Sequence, residues 1–193
     1  PAVFAKLAYR ESPDGWLAVV SAVRTDLGRL ALGERPLVLV CEGLEKPGNL
    51  GAILRTADAA GVAAVVAADP ATDWGNPNVV RASKGTVFSV PVATASSDEA
   101  LHWVAEQGLR LVATTPGGGV PLTEADLAGP VAVAVGSESH GLSPRWLARA
   151  EVALQIPMFG QADSLNVATA VAVVAYEAVR QRLLQDRAQS RHS

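Results

Sequence analysis

Residues 36–61, PLVLVCEGLEKPGNLGAILRTADAAG, decide how this chain is read. Leu37–Cys41 is apolar without alternation, the pattern of a strand covered on both faces of its sheet. A loop follows, and then a helix predicted over Leu50–Ala60. Asn49 suits the N-cap of that helix. Gly48 and Gly51 let the backbone turn tightly or come close to a ligand. Arg55 lies six residues past Asn49, about 1.7 turns along the helix. It stands among apolar and small residues, so it either pairs with an acid such as Asp58 or reaches outward from the flank.

The same alternation runs through the rest of the chain. Further strands are predicted over Ala63–Ala67, Phe88–Val92, Leu109–Ala113, Val131–Val135 and Val152–Ile156. Helices are predicted over Asn76–Lys84, Asp98–Gln107, Pro144–Ala150 and Leu165–Leu184. The fold class is therefore α/β, a mostly parallel sheet covered by helices on both faces. Residues 1–35 are weakly patterned, with a short helix over Trp16–Val23 and a connector over Leu27–Gly33. The start at Pro1 lacks Met, so residues 1–35 are expected to be a linker or the remnant of a preceding domain. The main domain then spans 36–185, and the polar residues 186–193 form a disordered tail.

A chain of 193 residues, 49% hydrophobic, can bury a substantial single core. No apolar run reaches the roughly 18 residues that a membrane span needs. One cysteine, Cys41, excludes an internal disulfide and a cysteine-rich zinc site. It reads as a small core residue of a cytoplasmic protein without a metal. A net charge of -3 means that a nucleic-acid partner is expected to meet a local basic patch or to be held by a part outside these residues.

Two more loops carry polar residues at strand ends, the edge where open α/β sheets bind ligands. Val131–Val135 runs into Gly136-Ser137-Glu138-Ser139-His140-Gly141. This is not a serine-hydrolase elbow, because Ser137 stands where its first glycine belongs and the only histidine beyond the loop is His192. Ile156-Pro157-Met158 leads through a polar loop to Ser164-Leu165-Asn166-Val167, where the last helix opens. Ser164 is a natural N-cap. Asn166 is a poor helix former placed in the first turn, so a specific hydrogen bond is expected of it. Val167–Ala175 is apolar or small on every face, which implies either a subunit interface or a central helix.

Together these blocks resemble the signature motifs of the SpoU (TrmH-like) RNA ribose 2′-O-methyltransferases of the SPOUT superfamily. Asn49, Gly51 and Arg55 match N-x-G-x-x-x-R, Gly136–Gly141 match G-S-E-x-x-G, and Ile156–Val167 match I-P-M…S-L-N-V. Arg81–Val92 is also similar to a stretch of that family, and the likeness covers residues 36–185.

The resemblance implies a C-terminal deep trefoil knot, S-adenosylmethionine as methyl donor, a homodimer built through the last helix, and often an N-terminal RNA-binding domain. The substrate it implies is a ribose in structured RNA, most often large-subunit rRNA and sometimes in antibiotic resistance. A tRNA target and a non-catalytic RNA-binding module are the alternatives. Carried over by position, Arg55 is the catalytic residue, with Asn49, Glu138, Ser164 and Asn166 orienting it and the ribose. Glu138 has the alternatives of capping the next turn or pairing with Arg145. Thr114, Gly136, Ser137, Ile156, Met158 and Leu165 would hold the cofactor, and Lys46, Arg81 and Lys84 the RNA phosphates. Lys84 reads equally as a solvated helix end, and His140 as an exposed loop residue rather than a base.

Overall fold

The computed structural model describes residues 2–8 and 18–190. Seven strands form one sheet: β1 (Leu37–Glu42), β2 (Ala64–Ala68), β3 (Val92–Ala95), β4 (Arg110–Thr115), β5 (Val120–Pro121), β6 (Val131–Val135) and β7 (Val152–Gln155). Their order is β3-β2-β1-β6-β4-β7-β5, and every pairing is parallel. The helices are α1 (Ala2–Leu7), α2 (Pro47–Ala60), α3 (Pro77–Ser83), α4 (Ser97–Glu106), α5 (Pro144–Arg149) and α6 (Val167–Gln189).

Continuous apolar strands fit this architecture because successive residues face two different cores. Leu37, Leu39 and Cys41 pack with α2, α3 and α6. Val38 and Val40 face the other way, toward Leu101, Trp103 and Val104 of α4 and Trp146 of α5. Cys41 is buried, and burial raises its thiol pKa to about 12. Among the described residues no helix is long and apolar enough to cross a membrane, and no cluster of side chains could hold a metal.

β1 lies between β2 and β6, and Leu39 is level with both Val65 and Val133. The chain runs outward from β1 to β2 and β3 on one side, then crosses to β4 on the other. Such a switch point opens a crevice beyond the carboxyl ends of the strands.

The segment expected as a strand over Phe88–Val92 is mostly not one. Residues 86–88 form a 3-10 turn, entered through Lys84 and Gly85 at positive φ, and β3 begins only at Val92. Val87 and Val90 are buried from this turn rather than from a strand, and the N–H of Val90 donates to Thr86 O. Pro91 has no N–H to give a ladder. Residues 18–26 have no regular structure, so the helix expected over Trp16–Val23 does not form across its described part; residues 16 and 17 lie outside the described residues. Leu27, Leu30 and Leu32 pack against the α4–α5 core. The last helix runs to Gln189, so residues 186–189, expected to be disordered, are helical.

Candidate functional site

The start of α2 differs from its sequence reading. Lys46 occupies the cap position without a side-chain cap bond, and Pro47 opens the helix where a missing N–H costs nothing. Asn49 is therefore inside the first turn, and its side chain is free to act elsewhere. Its Nδ2 donates to Glu138 Oε1, and its Oδ1 accepts from Asn166 Nδ2 at 3.3 Å. Asn166, not Ser164, is the N-cap of α6; its Oδ1 accepts from the Ala168 N–H at 3.0 Å. A single amide thus caps one helix with its oxygen and grips another helix with its nitrogen. That explains why a poor helix former stands there: it is outside the helix. Glu138 also lies 3.9 Å from Lys46 Nζ, while Arg145 pairs with Asp98 at 3.1 Å, which removes the alternative partner for Glu138.

The loop after β6 is held by a backbone contact that only glycine permits. A Cβ on Gly136 would lie 1.9 Å from the carbonyl carbon of Gly141, and Gly141 has φ +66°. The N–H of Gly141 donates to Ser137 O at 2.9 Å. His140 is exposed, and its Nδ1 is 2.8 Å from Ser139 Oγ.

Between the strand-end loops lies a cavity of about 500 Å³. Every residue expected to hold the cofactor lines it: Thr114, Gly136, Ser137, Ile156, Met158 and Leu165. Glu138 and Ser164 line it as well. The Thr114 hydroxyl donates to Ala134 O at 3.0 Å, tying β4 to β6. Sequence reasoning missed most of the apolar wall, which Leu142, Leu147, Leu154 and Val167 supply, and missed Asp163. Leu147 shows itself only in the structure, as an apolar side chain 44% exposed on the short helix α5.

Arg55, Arg81 and Lys84 do not line this cavity. Arg55 is exposed on α2, and Asp58 accepts from Ser89 Oγ at 3.3 Å rather than pairing with it. Gly51 serves the packing of α2 on α3: a Cβ there would come within 2.4 Å of Ala82 Cβ. Its close approach is thus to a neighbouring helix, not to a ligand.

Comparison with known proteins places this geometry. The profile of the SpoU rRNA Methylase family matches residues 36–176. A 23S rRNA (uridine(2479)-2′-O)-methyltransferase of Streptomyces viridochromogenes is 37% identical over 179 residues, 90% of this chain and 62% of that protein. A crystal structure of an RNA 2′-O ribose methyltransferase superposes with TM-score 0.77 at 44% identity, over 94% of this chain and 70% of the other. The SpoU methyltransferase AviRb of S. viridochromogenes, solved in complex with AdoMet, gives 0.78 at 35% identity, over 83% of this chain and 63% of the other. The chain spans less than two thirds of the length of the curated relatives it matches.

Proposed function

The chain belongs to the SpoU rRNA methylase family, and from that premise we propose that it methylates the 2′-oxygen of a ribose in large-subunit (23S) rRNA, with S-adenosylmethionine as donor. The observation that carries the reading is the Asn49–Glu138–Asn166 network beside the cavity. It joins side chains from segments 89 and 117 residues apart, and one of them, Glu138, lines the cavity.

The cavity fits the donor by its chemistry. Leu142, Leu147 and Leu154 give an apolar wall for an adenine, and the loop backbones give donors and acceptors at its edge. Glu138 and Asp163 put carboxylates on the lining, which suits a cationic ligand. When bound, S-adenosylmethionine supplies an electrophilic methyl on sulfur. Gly136, Ile156, Met158 and Leu165 hold it there, with Thr114 and Ser137 beside them.

The chain's own task is to present a hydroxyl that is a poor nucleophile until its proton leaves. Asn49, Glu138, Ser164 and Asn166 orient the ribose. Arg55 offers five N–H donors and no acceptor, so its part is to donate rather than to take that proton. It stabilises the negative charge that develops on the 2′-oxygen, and the proton passes to water or a neighbouring phosphate. Lys46, Arg81 and Lys84 bind phosphates, which gives affinity without reading sequence. Arg55 acts in the cavity of a second copy of the chain, across a homodimer built on α6. In support, Arg55 has no partner among the described residues, and Val173 and Tyr176 of α6 are 38% and 51% exposed. The C-terminal segment is threaded as a trefoil knot, and residues 36–185 form the catalytic unit.

Transfer of labelled methyl from S-adenosylmethionine to 23S rRNA, with mapping of the modified nucleotide, tests the reading. Label on tRNA alone would move the substrate, and label on neither RNA would overturn the assignment. A mapped nucleotide inside an antibiotic site would extend the function to resistance.

A further inference from the structure

We propose that Glu42 is a positioning residue for the cavity, fixing the exit of the Gly136–Leu142 loop from which one wall is built. This rests on the reading of the cavity as an S-adenosylmethionine site. All seven residues of that loop line the cavity. Its entry is set by Gly136, at the end of β6. Its exit is Ser143, the residue before α5.

Glu42, the last residue of β1, holds Ser143 from below the loop. Its Oε2 accepts the Ser143 N–H at 2.7 Å, and its Oε1 accepts the Ser143 hydroxyl at 2.6 Å. Oε1 also accepts from Ser97 Oγ at 3.4 Å, and Ser97 Oγ accepts from Trp146 Nε1 at 3.0 Å. Ser97 and Trp146 are fully buried. A carboxylate that takes both donors of one residue fixes that residue's backbone and its rotamer together. Ser143 stands at the N-cap of α5 yet makes no side-chain cap bond, because its hydroxyl is turned to Glu42. The usual local use of an N-cap serine is thus given up for a tie to β1. Glu42 touches no cavity surface itself; it acts through the loop.

Four variants of the full chain test this: Glu42→Ala, Glu42→Gln, Ser143→Ala and, as a control at the other end of the sheet, Arg182→Ala. The readouts are the Kd for S-adenosylmethionine, amide hydrogen exchange over residues 137–143, and Tm. Loss of charge-assisted bonds in Glu42→Ala weakens cofactor binding about tenfold or more and speeds loop exchange comparably. Glu42→Gln recovers most of both, since its oxygen can accept the Ser143 N–H while its nitrogen donates to a hydroxyl. Ser143→Ala, which keeps the N–H bond, shows a smaller loss in the same direction. Arg182→Ala lowers Tm and leaves Kd and loop exchange unchanged. Wild-type affinity and loop exchange in Glu42→Ala would overturn the assignment, as would an equal loss of affinity in Arg182→Ala. If the wild-type chain binds no S-adenosylmethionine, the reading of the cavity fails, while loop exchange in Glu42→Ala still decides whether Glu42 holds the loop.

Discussion

The two ends of the sheet are built by opposite rules. At the amino ends of β1 and β6, α6 closes the edge with side chains. Arg182 donates to the carbonyls of Arg35 at 2.8 Å, Pro36 at 3.3 Å and Gly129 at 2.9 Å. Gln181 donates to Ala125 O and accepts from the Leu127 N–H, at 2.8 and 2.7 Å. Partial burial lowers the Arg182 pKa, yet three carbonyls hold the guanidinium in place. At the carboxyl ends Glu42 and the Asn49–Glu138–Asn166 contacts fix the loops at single points, and residues 157–164 between them make no hydrogen bond to any described residue. Backbone groups without internal partners are free to meet a ligand. One helix therefore anchors the fold with its last turns and shapes the site with its first.

The sharpest way to break this division is at Arg55. Arg55→Ala is expected to lower methyl transfer by about 10²–10³-fold, the scale of losing one charge-stabilising donor. The Kd for S-adenosylmethionine should stay within a few-fold, because the charge of Arg55 is assigned to the acceptor 2′-oxygen and not to the donor. A weakened Kd with transfer unchanged at saturating donor would reverse the roles assigned to α2 and the cavity.

The next largest effect separates the two duties of Asn166. Asn166→Asp keeps an oxygen to cap α6 but removes the donor to Asn49, so turnover should fall while Tm holds. Asn166→Ala removes both, adding a loss of about 1 kcal/mol for the missing cap. Full activity in Asn166→Asp would reduce the residue to its cap.

These two residues also show what was legible beforehand. The sequence marked Asn166 because local preference disfavours it in a helix, and Asn49 as the cap of α2, a place that Lys46 takes instead. It could not assign their partners, since Glu138 is 89 residues from Asn49 and Asn166 is 117. Strands buried on both faces were readable from their apolar runs. The run ending at Val92 misled because valines at a helical turn's spacing bury as well as valines in a strand. The clamp at the amino ends left no trace, for nothing local distinguishes Arg182 from any other arginine on a polar stretch of helix.

A smaller change sharpens the comparison from the closed end. Arg182→Ala leaves three carbonyls short of a donor, of which some regain water. A cost of about 2 kcal/mol follows, or roughly 4–8 °C in Tm for a domain of this size. Turnover per folded molecule should not move. A fall in kcat there would show that the anchor and the site are coupled through α6, and the division would fail.

The smallest effect comes from acid. The hydrogen bonds from Arg180, and after them that from Gln181, hold the Glu177 carboxyl below its ordinary value of 4.5. The unfolded chain therefore takes up this proton at a higher pH than the folded one, so stability rises with pH across that interval. The contribution is fully present above 4.5 and is lost as pH falls through the lowered value. Because Glu177 also accepts from Gln181, its protonation loosens the same residue that holds Ala125 and Leu127. Measured between neutrality and acid, the Tm of Glu177→Gln should fall less steeply than that of the wild type, by a margin that added salt shrinks. An identical slope in both proteins would mean that acid acts elsewhere, and that the closed end owes its hold to Arg182 without this carboxylate.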